Sequence, residues 1–132
     1  MMMKLTCPKC SASMEEVSFE QFTIERCTVC GGMWFDLMEQ RHLRDAPGSE
    51  QIDTGPADRG LELNNCTSIN CPRCHAPMTH LRDTDRRDVE YEYCTICHGA
   101  FYDAGEFRRC HQRELLTSLR QWLHSSERYE LP

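Results

Sequence analysis

Apolar and polar positions trace one short plan twice along this chain. Val17 and Phe19 alternate with polar residues, Glu20 and Gln21 break the phase, and Phe22 and Ile24 resume it on the way to Cys27. Period-two alternation broken by two polar residues predicts a β-hairpin. Val89, Tyr91 and Tyr93 alternate in the same way before Cys94, which predicts the return strand of a second hairpin with its loop in the polar stretch from Asp83 to Arg87. A helical pattern follows each hairpin. The first runs from about Leu37 to Arg44 and stops at Ala46-Pro47-Gly48. The second meets no Pro or Gly from Glu106 to Glu130, and Leu115, Leu116, Leu119, Trp122 and Leu123 recur along it at helical spacing, edged by Arg109, Arg113 and Arg120. That spacing predicts an amphipathic C-terminal helix of about twenty residues, with its apolar face available for packing, self-association or a protein partner.

Between the two plans, residues 46 to 65 read APGSEQIDTGPADRGLELNN, with two prolines, three glycines and scattered apolar residues. This composition predicts a flexible, net acidic linker. The resulting division is a first module over 1–45, the linker over 46–65, and a second module with the long helix over 66–132. Under this reading the modules hold no fixed mutual orientation.

The cysteines sharpen the repeat. Cys7-Pro-Lys-Cys10 precedes the first hairpin and Cys27-Thr-Val-Cys30 follows it; Cys71-Pro-Arg-Cys74 and Cys94-Thr-Ile-Cys97 stand in the same relation to the second. Two intervening residues let a tight turn aim both sulfurs at one ion, and a hairpin brings the second pair back to the first. Each quartet therefore has the composition of a closed tetrahedral zinc site, and two such sites imply two zinc ions per chain. Modules of this size bury too little apolar surface to fold without a staple, which a metal supplies. A disulfide scaffold would need an export signal, and the opening MMMKLTCPKC has no apolar stretch of signal-peptide length, so a reduced, cytoplasmic setting is expected. No apolar run reaches the ~20 residues needed to cross a bilayer.

Cys66 and Cys110 have no counterpart in the first copy and read as free thiols. His75 and His98 directly follow ligand cysteines, but Ser11 and Gly31 stand at the equivalent positions, so both histidines read as spectators, with His98 tolerating the positive φ that Gly31 would adopt. Asp36 with Glu39, and Asp103 with Glu106, have the spacing of a helix N-cap and its reciprocal partner, and the expected role of these acids is capping, not acid/base catalysis.

After each second knuckle come a glycine (Gly32, Gly99), an aromatic pair (Trp34 and Phe35; Phe101 and Tyr102), then the Asp and Glu. CPKC, a hairpin and CTVCGGMWFDLME resemble the bacterial transcription-factor-IIB-type zinc-finger family, a zinc-ribbon group with the pattern CPxC, then CxxCxGxWxDxxE. The second copy follows the pattern with Phe101 in place of the tryptophan. The resemblance implies a small metal-stabilised α+β fold, two tandem zinc ribbons, with zinc held by Cys7, Cys10, Cys27 and Cys30, and by Cys71, Cys74, Cys94 and Cys97.

Three functions compete: a non-enzymatic zinc module that binds a protein partner in a regulatory, transcription-like role; a nucleic-acid-binding ribbon; and a rubredoxin-like iron or dithiol redox protein. The formal charge of −6 falls to about −10 once eight thiolates and two zinc ions are included, which opposes phosphate binding. A closed four-thiolate site has no open position for substrate, so no enzymatic role is expected for the metal. No C-x-x-C pair is marked off from the others as a free dithiol. The protein-binding reading is the leading expectation.

Overall fold

The computed structural model describes residues 4–37, 39–44, 46–63, 66, 68–83 and 89–110. The first hairpin joins β1 (Met14–Phe19) to β2 (Phe22–Cys27), with Phe19 opposite Phe22. Its two-residue loop is Glu20-Gln21, the point where the alternation breaks, and Glu20 takes a left-handed φ of 54° to close it. β3 (Met33–Phe35) follows, then α1 (Glu39–Arg44), which starts two residues later than the sequence pattern suggests. The second copy repeats the order with β4 (Thr79–Arg82), β5 (Glu90–Tyr93) and β6 (Ala100–Tyr102), and residues 106–110 are again helical. The rest of the expected C-terminal helix, including Arg113, Leu115, Leu116, Leu119, Arg120, Trp122 and Leu123, lies outside the described residues.

The two copies are not beads on a string. The six strands among the described residues form one sheet in the order β1-β2-β3-β6-β5-β4. The join is an antiparallel pairing of β3 with β6 in which Met33 faces Tyr102, Trp34 faces Phe101 and Phe35 faces Ala100. Equivalent residues exchange places across this pair, so it has the register of a two-fold axis through Trp34 and Phe101. A lone ribbon would leave β3 as an open edge; here each repeat caps the edge of the other.

Strand alternation sorts the apolar residues into two cores. One gathers Trp34, Phe101, Leu5, Met14, Ile69, Met78 and cysteines of both quartets. The other holds Met33, Phe35, Ala100 and Tyr102 with Ile24, Val89, Leu43 of α1 and Phe107 of the final helical turn. In the first core, the space for the Trp34 ring exists because Gly99 has no side chain, and the space for Phe101 exists because Gly32 has none; a Cβ at either glycine would run into the opposing ring. The glycine of each motif thus receives the aromatic of the other.

The segment expected to be a flexible linker carries two short helical stretches and is tied to both repeats. Ser49–Ile52 form a 3-10 turn and Ala57–Leu63 form α2. Arg26 Nη1 donates to Ile52 O at 2.9 Å, and Ser49 Oγ donates to Leu43 O, which ties the turn to the first repeat. Two of its glycines mark close approach, not freedom: Gly55 lies against Gly31, and Gly60 against the Ala104 carbonyl. Composition alone cannot separate these two uses of glycine. Arg44 of α1 also reaches Asp83 of the second repeat, with two contacts at 2.8 and 3.3 Å.

The acidic motif residues cap their helices only in part, against the expectation that capping is their role. The backbone half of each cap forms, with Glu39 N donating to Asp36 O at 2.8 Å and Glu106 N to Asp103 O at 3.0 Å, and Glu39 Oε1 accepts from Asp36 N at 2.9 Å. The Asp carboxylates, however, face the other repeat. In the second copy the cap comes from Asp53 of the intervening segment, whose carboxylate accepts from Gly105 N at 2.9 Å and Arg108 N at 2.8 Å. Glu106 Oε2 turns to Glu90 N at 3.2 Å.

Candidate metal centres

Each C-x-x-C pair sits on a knuckle of the same geometry. The residue after the second cysteine turns left-handed in all four: Ser11 (φ 68°), Gly31 (φ 77°), His75 (φ 64°) and His98 (φ 64°). A hydrogen bond then crosses each knuckle, from Cys7 N to Ala12 O, Cys27 N to Gly32 O and Cys71 N to Ala76 O, each at 2.8 Å, and from Cys94 N to Gly99 O at 2.9 Å. The turn exposes backbone N–H groups to the first sulfur. Val29 and Cys30 donate to Cys27 Sγ at 3.4 Å, Arg73 and Cys74 to Cys71 Sγ at 3.4 Å, and Cys97 to Cys94 Sγ at 3.5 Å. Such donors favour thiolate over thiol.

The hairpins fold the knuckles together into the two expected quartets. In each, the four sulfurs lie within 4.8 Å of one another. The closest pairs are Cys10–Cys27 at 3.3 Å and Cys7–Cys30 at 3.7 Å in the first, and Cys74–Cys94 at 3.4 Å and Cys71–Cys97 at 3.5 Å in the second. Sulfurs at the corners of a tetrahedron with a Zn–S bond of about 2.3 Å are about 3.8 Å apart, so the donor set fits zinc in number, chemistry and separation. Without a cation the thiols conflict. Burial and hydrogen bonds with Cys97 and Cys74 push Cys71 up to about 12. Burial also opposes charge on Cys94, yet the N–H groups of Cys97 and Ile96 and the neighbouring thiols bring it down to about 7. A divalent ion removes the conflict by neutralising the thiolates together.

Neither Cys66 nor Cys110 belongs to a metal-binding group among the described residues. Cys66 is exposed, and Cys110 is buried in the second apolar core. His75 and His98 stay out of the quartets, and His98 Nδ1 pairs with the Tyr93 hydroxyl at 2.7 Å.

The residues between the ligands carry a function that sequence reasoning missed. Lys9, inside the first CPxC, crosses to the second repeat, where Nζ donates to Asp103 Oδ2 at 2.7 Å and pairs with Glu92. Arg73, inside the second CPxC, crosses the other way: Nε donates to Asp36 Oδ1 at 2.6 Å, and Nη2 donates to Asp36 Oδ2 at 2.7 Å and to Glu25 Oε1 at 3.3 Å. Trp34 Nε1 completes this second cluster with a 2.8 Å bond to Asp36 Oδ1. The signal was present in the repeat itself, where basic residues match at 9 and 73 and acidic ones at 25 and 92.

Two hairpins, each closing a four-cysteine site between paired knuckles, define a tandem zinc ribbon. The chain belongs to the transcription factor zinc-finger family, whose model matches residues 6–46 and 70–113. Nothing matches it among curated proteins or among solved structures. The chain accordingly carries two zinc ions, one held by Cys7, Cys10, Cys27 and Cys30 and one by Cys71, Cys74, Cys94 and Cys97. No helix among the described residues is long and apolar enough to cross a membrane.

Proposed function

We propose that this chain is a non-enzymatic module that zinc holds in shape to bind a protein partner, in a regulatory, transcription-related setting of the reduced cytoplasm. One observation carries this reading: every ligand and every knuckle cation is already used inside the molecule. The four thiols of each quartet converge on one point, which leaves no coordination position for a substrate. Lys9 and Arg73, which stand between ligand cysteines, are each paired with carboxylates of the opposite repeat, which leaves their charge already neutralised. A nucleic-acid ribbon would instead need several Lys and Arg free on one face.

Leu115, Leu116, Leu119, Trp122 and Leu123 are the proposed contact with the partner or with a second copy, since their spacing gives one apolar helix face. Arg113 and Arg120 would meet carboxylates at its rim, while Arg109 is already paired with Glu106 Oε1 at 3.3 Å. Deleting residues 115–132 should abolish association, followed by light scattering and co-purification, while both zinc ions stay bound. Micromolar or tighter binding of DNA or RNA by the intact chain at physiological salt would overturn the reading.

A further inference from the structure

We propose that the two zinc sites load cooperatively, the first ion raising the affinity for the second, with Lys9 and Arg73 carrying the coupling. The inference rests on zinc occupying both quartets and concerns how those ions communicate. Each cation sits between two ligands, so the metal that sets the knuckle also sets the cation's position. Lys9 lies between Cys7 and Cys10, yet its partners Asp103 and Glu92 belong to the second repeat: Asp103 follows β6, and Glu92 lies on β5 just before Cys94. Arg73 lies between Cys71 and Cys74, and its partners Asp36 and Glu25 follow β3 and lie on β2 just before Cys27. Each CPxC knuckle therefore braces the strand that delivers the other site's second knuckle.

The aromatic pair adds a second link in the same sense. Trp34 fills the space left by Gly99, whose carbonyl accepts the knuckle bond from Cys94 N at 2.9 Å. Phe101 fills the space left by Gly32, whose carbonyl accepts from Cys27 N at 2.8 Å. The Lys9 ammonium lies 5.9 Å from the Phe101 ring centre and joins the two links. An empty quartet releases its knuckles, and with them the cation and the glycine seat on which the other quartet depends. Two sites that stabilise the same folded arrangement are coupled, typically about 5- to 150-fold in affinity.

Native mass spectrometry of the full chain in zinc buffered by a chelator tests this through the share of molecules holding one ion. Independent sites of equal affinity give a maximum of about 50% half-loaded chains, unequal sites give more, and a fivefold coupling lowers the maximum to about 30%. The wild-type chain is expected to stay below half. Lys9→Met should raise the half-loaded share, and Arg73→Met should raise it less; the two-zinc mass at saturating zinc shows that each variant still folds. A wild-type maximum at or above half would overturn the coupling. Suppression that persists unchanged in both variants would overturn its assignment to the two cations. A chain that takes up no zinc would instead strike at the sites themselves.

Discussion

The two cation clusters that tie the repeats together occupy equivalent positions in sequence and opposite environments in space. Lys9 has a side-chain exposure of 0%, and its partners Glu92 and Asp103 are at 0% and 1%. Arg73 is 38% exposed and its partner Asp36 37%. The difference comes from what covers them. α2 closes over the Lys9 cluster: Lys9 Nζ also donates to Leu63 O at 3.0 Å at the end of that helix, and Gly60 presses on the Ala104 carbonyl beside Asp103. His80 extends the buried cluster, with Nδ1 at 2.7 Å from Glu92 and Nε2 at 2.8 Å from Glu90, where the first repeat has Glu16. The same motif chemistry therefore gives a surface clamp in one place and a buried ionic network in the other. Burial changes the consequence of losing a partner far more than it changes the pairing.

The largest effect should erase the comparison altogether. Zinc binding contributes on the order of 10–16 kcal/mol in zinc-finger peptides, more than the ~5–15 kcal/mol net stability of a domain. Stripping both ions with a chelator is expected to unfold both hairpins in one transition, because β3 and β6 share a single sheet. Circular dichroism recorded alongside a zinc count checks this; a native spectrum in the metal-free chain would contradict it.

Lys9→Ala leaves Asp103 buried without its cation and Glu92 with His80 alone, and should cost about 3–5 kcal/mol. Arg73→Ala, at the exposed cluster, should cost no more than about 1 kcal/mol. Denaturant unfolding of the two variants at saturating zinc measures the gap, and equal losses would show that burial does not separate the clusters.

A smaller effect tests the cover. Asp53→Ala removes the carboxylate that caps the helical turn over residues 106–110 and should destabilise the chain by about 0.5–2 kcal/mol. The cap also docks the intervening segment, so amide hydrogen exchange should quicken in α2 as well as in 106–110. Protection unchanged in α2 would mean that the Asp53 cap does not hold that helix in place.

The smallest effect is a pH dependence. Burial, only partly offset by Lys9, raises Asp103 from 3.8 to about 6, and its Oδ1 has no hydrogen-bond partner among the described residues. A carboxyl raised on folding contributes its stability below its unfolded value and loses it as pH climbs through the folded one. The wild-type chain should therefore lose stability relative to Asp103→Asn as pH rises from about 4 to about 6, and the difference should level off above that. Paired unfolding curves at saturating zinc across this range measure it. A difference that moves in the opposite direction would show that Lys9 outweighs burial.

The sequence by itself determined the chemistry and its local frame. Eight cysteines in four C-x-x-C pairs, separated by hairpin-length runs, dictate which thiols meet, because a tight turn and a two-strand return are short-range geometry. The loop at Glu20-Gln21 and the left-handed turn at His98 were legible for the same reason. What the tertiary structure decided was every contact between the repeats. Trp34 and Phe101 stand in the sequence only as aromatics of the repeated motif, and the structure sets each in the space left by the other's glycine. Asp36 and Asp103 read as local caps, yet their carboxylates reach across the sheet to Arg73 and Lys9. Residues 46–65 read as a loose tether, yet they supply the cap at Asp53 and the roof over Lys9. Local pattern reports torsion preferences and near neighbours; it carries no information on which of two identical surfaces will face the other. Only the pairing of β3 with β6, made favourable by burying two aromatics and two open strand edges at once, settles that.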